Sequence, residues 1–158
     1  MKIYLASPLG FCSEHADYRK RITDHLKAQG HEIFDPWEQK HVDQKIEAAL
    51  DIYDPKEMKT AIDKAAEFAG RVNADGIKSS DAVLAILDGA EVDSGTAAEI
   101  GYGAGIGKKC YGLRSDLRNM GELPGLPINL QVLYFITSTG GVLFRRLENV
   151  LIDLKLPA

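Results

Sequence analysis

Residues 82–87, Ala82-Val83-Leu84-Ala85-Ile86-Leu87, form an unbroken apolar run between Asp81 and Asp88-Gly89. The length suits a strand. A strand without polar alternation is one buried on both faces, as at the centre of a parallel sheet. Upstream, Lys2–Ala6 (KIYLA) is halted by Ser7-Pro8-Leu9-Gly10, and Glu32–Phe34 is closed by Asp35-Pro36; these read as strands one and two. Downstream, Lys109–Leu113 and residues 133–137 read as strands four and five. Helical patterns lie between them. Residues 14–29 place Tyr18, Ile22 and Leu26 on one face, with Ser13 in N-cap position and Gly30 just past the end. Residues 39–80 are helical in pattern with a break at Asp54-Pro55, and 95–106 and 141–154 complete the set.

Strands alternating with helices predict an α/β fold, a parallel sheet covered on both faces. Five strands suit the doubly wound, flavodoxin-like order 2-1-3-4-5, in which ligands bind outside the carboxyl ends of the strands. The 158 residues are 45% hydrophobic and 27% charged, an ordinary globular composition, and the whole span 1–158 is expected to form one domain. The formal charge is −4, so no basic excess exists to displace phosphate counterions. A nucleic acid polymer and an anionic membrane are therefore not expected partners. Cys12 and Cys110 stand far apart and match no metal spacing, which fits a reducing cytoplasm. The apolar start is cut short by Pro8, too early for a signal peptide, and no run approaches the roughly 20 residues that cross a bilayer. A cytoplasmic protein is expected.

Chemistry should gather after strands one, three and four. Asp93 sits at a helix N-terminus, where it serves either as a cap or as a ligand. Glu99 stands alone among the small residues of Gly95-Thr96-Ala97-Ala98-Glu99-Ile100-Gly101-Tyr102-Gly103. On the inner helix face it would be desolvated; on the outer face it would be solvated, and periodicity leaves both open. A desolvated carboxylate beside a pocket is what substitution at the anomeric carbon of a sugar requires. The glycines of 101–107 follow a helix rather than open one, so they do not form a dinucleotide fingerprint, and no P-loop string is present. His15, His25, His31 and His41 lack ligand spacing, and no metal site is expected. Trp37 either stacks on a ligand ring or plugs the sheet edge.

Four segments together carry a resemblance: Tyr4-Leu5-Ala6-Ser7-Pro8; residues 73–81 (NADGIKSSD); Asp93-Ser94-Gly95-Thr96-Ala97-Ala98-Glu99-Ile100-Gly101; and Pro127-Ile128-Asn129-Leu130. In this order, over nearly the whole chain, the sequence resembles the nucleoside 2-deoxyribosyltransferases. The resemblance implies Glu99 as the nucleophile that takes 2-deoxyribose, and Tyr4 as the group that orients it. It implies Asp93 as acceptor of the sugar 5′-hydroxyl, and Asn129 as a residue reaching a neighbouring subunit's site. Substrates would be 2′-deoxynucleosides and free nucleobases, the working unit a homo-oligomer of at least two chains, with no cofactor. Ser7, Pro8, Phe11, Trp37 and Gly95 are the further candidates for substrate contact.

Many members carry an aspartate at the position of Asn73. An amide hydrogen-bonds a base but is no general acid, which turns attention to Asp75 or water. Members whose terminal carboxylate completes the site end differently from Leu156-Pro157-Ala158. A sister branch of hydrolases acts on 2′-deoxynucleoside 5′-monophosphates and places serine where Asp93 stands. A carboxylate repels a phosphate and accepts from a free 5′-hydroxyl, which favours nucleosides. The competing readings are an N-glycosidase on 2′-deoxynucleosides or their 5′-monophosphates, a nucleotide-sensing module, and a flavodoxin-like electron carrier. Pro8 interrupts the backbone donors that the last would need.

Overall fold

Strand β1 (Lys2–Ala6) pairs in parallel with β2 (Glu32–Phe34) on one side and with β3 (Ala82–Ile86) on the other. The computed structural model describes residues 1–153. Beyond β3 come β4 (Lys109–Leu113) and the two-residue β5 (Leu143–Phe144), giving the parallel order β2-β1-β3-β4-β5. This is the expected doubly wound arrangement. The helices are α1 (Ala16–Ala28), α2 (Lys40–Leu50), α3 (Pro55–Ser79), α4 (Ser94–Gly105) and α5 (Leu130–Ser138).

The two-residue period of the strands divides the core. Ile3, Leu5, Leu84 and Ile86 face α1 and pack with Ile22 and Leu26. Tyr4, Ala6, Val83 and Ala85 face the other layer and pack with Ile77 of α3, Ile100 of α4 and Ile136 of α5. Each of the large apolar side chains contributes about 1.5–3 kcal/mol by its burial. Tyr4 thus has its whole ring in the core while its hydroxyl points at the α3–α4 layer, a placement set by strand parity.

Two sequence expectations are corrected. Residues 133–137 belong to α5 and are not a strand. A short apolar run reads equally as buried strand or buried helix, and here Asn129 decides it by accepting from the backbone N–H groups of Gln131 and Val132. The fifth strand comes later, at Leu143–Phe144, inside the stretch 141–154 expected to be helical; a 3₁₀ turn at Leu147–Asn149 follows. Residue 154 and the terminal Leu156-Pro157-Ala158 lie outside the described residues. Ser13 opens a 3₁₀ turn and makes no capping bond to α1. The break at Asp54-Pro55 stands as expected: Asp54 Oδ1 accepts from the N–H groups of Lys56 and Glu57 and starts α3. Among the described residues no helix is long and apolar enough to cross a membrane.

Candidate active site

Helix α4 begins immediately beyond the β3–α4 loop and lies close against the sheet. Gly103 permits this: a Cβ there would come within 2.8 Å of Val83 Cγ2, a stiff β-branched side chain. Thr96, Glu99 and Gly103 recur at helical spacing on the sheet-facing side. The open choice about Glu99 is resolved by this placement. The side chain is half-buried, and Tyr4 donates its hydroxyl to Glu99 Oε1 at 2.6 Å.

Burial of the carboxyl is the main reason that Glu99 is pushed up to about 7. The hydrogen bond from Tyr4 acts against that rise, while the negative charges of Asp93 and Asp35 add to it. Tyr4 is fully buried, and desolvation together with the charge of Glu99 pushes its phenol above the ordinary range. The pair therefore has a fixed polarity: Tyr4 remains the donor and Glu99 the acceptor.

Glu99 opens onto a cavity of about 320 Å³ that is also lined by Ser7, Phe11, Trp37, Asn73, Asp93 and Gly95. Asp93 acts as cap and lining group at once. Its Oδ2 accepts from the N–H of Thr96 at 2.9 Å and from the Thr96 hydroxyl at 3.1 Å. Trp37 is fixed from both ends of its ring system. Its Nε1 donates to the Ser7 carbonyl at 2.7 Å, and its backbone N–H is held by buried Asp35. Gly10 lies directly against the indole, where a Cβ would fall 1.9 Å from Trp37 Cδ2. Phe11, 76% exposed, meets Trp37 edge-on at 4.6 Å between ring centroids. The two rings form an aromatic corner in the cavity wall.

A family model described as nucleoside 2-deoxyribosyltransferase matches residues 3–131. The chain belongs to the nucleoside 2-deoxyribosyltransferase family. No curated protein sequence matches it. Among solved structures, a 2-deoxyribosyltransferase from the psychrotolerant bacterium Bacillus psychrosaccharolyticus is 26% identical with a TM-score of 0.59, over 94% of this chain and 89% of that one. A conserved protein from Enterococcus faecalis V583 superposes with a TM-score of 0.68 at 22% identity, over 94% of this chain and 93% of that one. A CMP N-glycosidase from Clostridium botulinum gives 0.56 at 15% identity, again over 94% and 93%. The last two show a shared fold.

Asn73, on α3, donates to Glu99 Oε1 over a long 3.4 Å and lines the same cavity. Asp75 does not join: it is exposed and pairs with Lys78 at 3.2 Å. Pro8 lines a different cavity, with His15 and Tyr18. Asn129 does not line the Glu99 cavity of its own chain but a third one, of about 510 Å³. There it caps α5 and donates Nδ2 to Glu122. Sequence reasoning missed the α2 wall of the Glu99 cavity, made by Val42, Asp43 and Ile46. The signal was present in the helical pattern after residue 39, but nothing there said which face turns inward. Among the described residues no cluster of His, Cys, Asp and Glu is arranged to hold a metal ion.

Proposed function

We propose that the protein transfers 2-deoxyribose from one nucleobase to another by double displacement at Glu99. Ionised Glu99 attacks C1′ of a 2′-deoxynucleoside, and the C1′–N bond breaks with its electron pair passing to the base, which takes up a proton. A ring nitrogen of the second base then attacks C1′, the glycosyl ester breaks, the carboxylate is regenerated and the incoming base loses its N–H proton. The observation that carries this reading is the Tyr4–Glu99 pair at the wall of a cavity of nucleoside size, with the carboxyl held near neutrality. A group poised there is ionised in useful amount at neutral pH yet poorly solvated, as an attacking carboxylate should be.

Nucleosides rather than 5′-phosphates are favoured. Among the described residues, the side chains lining the cavity include three carboxylates (Asp43, Asp93 and Glu99) and no Lys, Arg or His. A phosphate placed there would meet like charge without a counterion. Asp93, with Oδ2 occupied by Thr96, is the acceptor for a free 5′-hydroxyl. Asn129 serves the cavity of a neighbouring subunit, as the family resemblance implies; that it does not line the Glu99 cavity of its own chain is consistent with this. The relative from Bacillus psychrosaccharolyticus supports the activity. The free thiols of Cys12 and Cys110 suit a cytoplasmic enzyme.

Incubation of deoxyinosine with adenine is expected to yield deoxyadenosine with ping-pong kinetics, and a deoxyribosyl adduct on the peptide bearing Glu99 after acid quench. Free base and free sugar without deoxyadenosine would instead assign the N-glycosidase reaction, with water as the second nucleophile.

A further inference from the structure

We propose that Asp43 reads the edge of the nucleobase and selects bases carrying an exocyclic amino group. The inference rests on the nucleoside reading above and specifies its substrate class. Asp43 lies in the first turn of α2 and lines the Glu99 cavity together with Val42 and Ile46 of the same helix. A planar base is apolar on its two faces and polar along its edge. Trp37, Phe11, Val42 and Ile46 provide the apolar walls for the faces. The edge needs a polar partner.

Each of the other polar side chains of the cavity has at least one hydrogen bond within the protein, whereas Asp43 has none among the described residues. Glu99 is bonded by Tyr4 and Asn73, Asp93 by Thr96, and Ser7 Oγ by the N–H of Leu9. The carboxylate of Asp43 is exposed and has no hydrogen-bond or ion-pair partner among the described residues. Its charge suits the N-terminal end of α2, but that accounts for an acid in this turn and not for its position on the cavity wall. A carboxylate only accepts hydrogen bonds. An amino group at the base edge satisfies it, whereas a carbonyl in the same place sets two acceptors against each other.

Two nucleoside pairs exchange the amino group for a carbonyl, with the adjacent ring nitrogen changing from acceptor to N–H donor: deoxycytidine against deoxyuridine, and deoxyadenosine against deoxyinosine. Binding is measured by calorimetry on a Glu99→Gln variant, which cannot turn substrate over. The amino member of each pair is expected to bind about 10-fold tighter or more, and Asp43→Asn in the same background to bring both ratios within about 2-fold of unity. Equal affinities before that change, or ratios that survive it, overturn the proposal. Turnover by the unaltered protein is a separate measurement: exchange or hydrolysis without an amino preference in binding rejects this inference alone. An amino preference without turnover rejects the transferase reading alone, and no binding of any of the four nucleosides rejects both.

Discussion

The Glu99 cavity and the larger Asn129 cavity differ in what their charged groups are bonded to. Around Asn129 the polar groups build the fold. Arg114, 1% exposed, gives Nη1 to the carbonyls of Leu87 and Gly89 and Nη2 to that of Arg118, leaving only Nε unpartnered. Glu122 and Asn129 together hold the first N–H groups of α5. In the smaller cavity the central bond joins two side chains, Tyr4 and Glu99, and one of them is held away from its ordinary protonation. Volume does not mark the chemistry here; the bonding pattern does. Charged groups tied to backbone fix loops, while a desolvated acid tied to a neutral phenol is ready to react.

The sharpest way to break this contrast is Glu99→Gln. Exchange is expected to fall by about 10⁴-fold while the fold persists. Stability should move the other way. The folded-state value near 7 lies above the ordinary carboxyl value of 4.5, so the native protein favours the neutral acid. Below pH 4.5 the acid is neutral in both states and nothing is lost; between 4.5 and about 7 the unfolded chain ionises first and stability is eroded, levelling off above 7. Gln stays neutral, so thermal unfolding at pH 8 should show a gain of about 1–3 kcal/mol that vanishes near pH 4.

Tyr4→Phe comes next. Exchange should drop about 10–100-fold. In the parent protein kcat/KM is expected to rise with pH and level off above about 7 as Glu99 ionises. Without the phenol the bond that lowers Glu99 is gone, so a pH–rate profile should show the rising limb displaced to higher pH. A limb that stays in place would separate Tyr4 from the acid.

The smallest effect belongs to the other cavity. Asn129→Ala removes the α5 cap and should cost about 1 kcal/mol in chemical denaturation. If Asn129 serves a neighbouring subunit, activity also falls, and mixing this variant with Glu99→Gln restores part of it. A loss of stability with unchanged exchange would leave Asn129 as a cap alone.

The sequence made much of this readable, because 82–87 has no polar interruption and Asp54, Asp93 and Gly30 punctuate helices by local chemistry. Glu99 stood out for the opposite reason, as one charge among small residues. What stayed hidden depends on tertiary packing. The Tyr4–Glu99 contact is expected from the family resemblance alone; spacing does not reveal it, because it joins the first strand to the fourth helix and needs strand parity and the absence of a Cβ at Gly103 together. The run at 133–137 was ambiguous between helix and strand, and a two-residue strand is too short to leave a pattern. The inward face of α2 depends on how that helix lies over α3, which spacing within either helix does not reveal.

Glu99 is a half-buried acid whose cavity, among the described residues, is lined by no positive side chain. In the resting protein that missing partner is a standing electrostatic debt. During the proposed reaction the sugar ring acquires oxocarbenium character as the base departs and again as the second base attacks, and each time a cation appears beside the carboxylate. The transition state itself thus becomes the counterion for which the fold made no other provision.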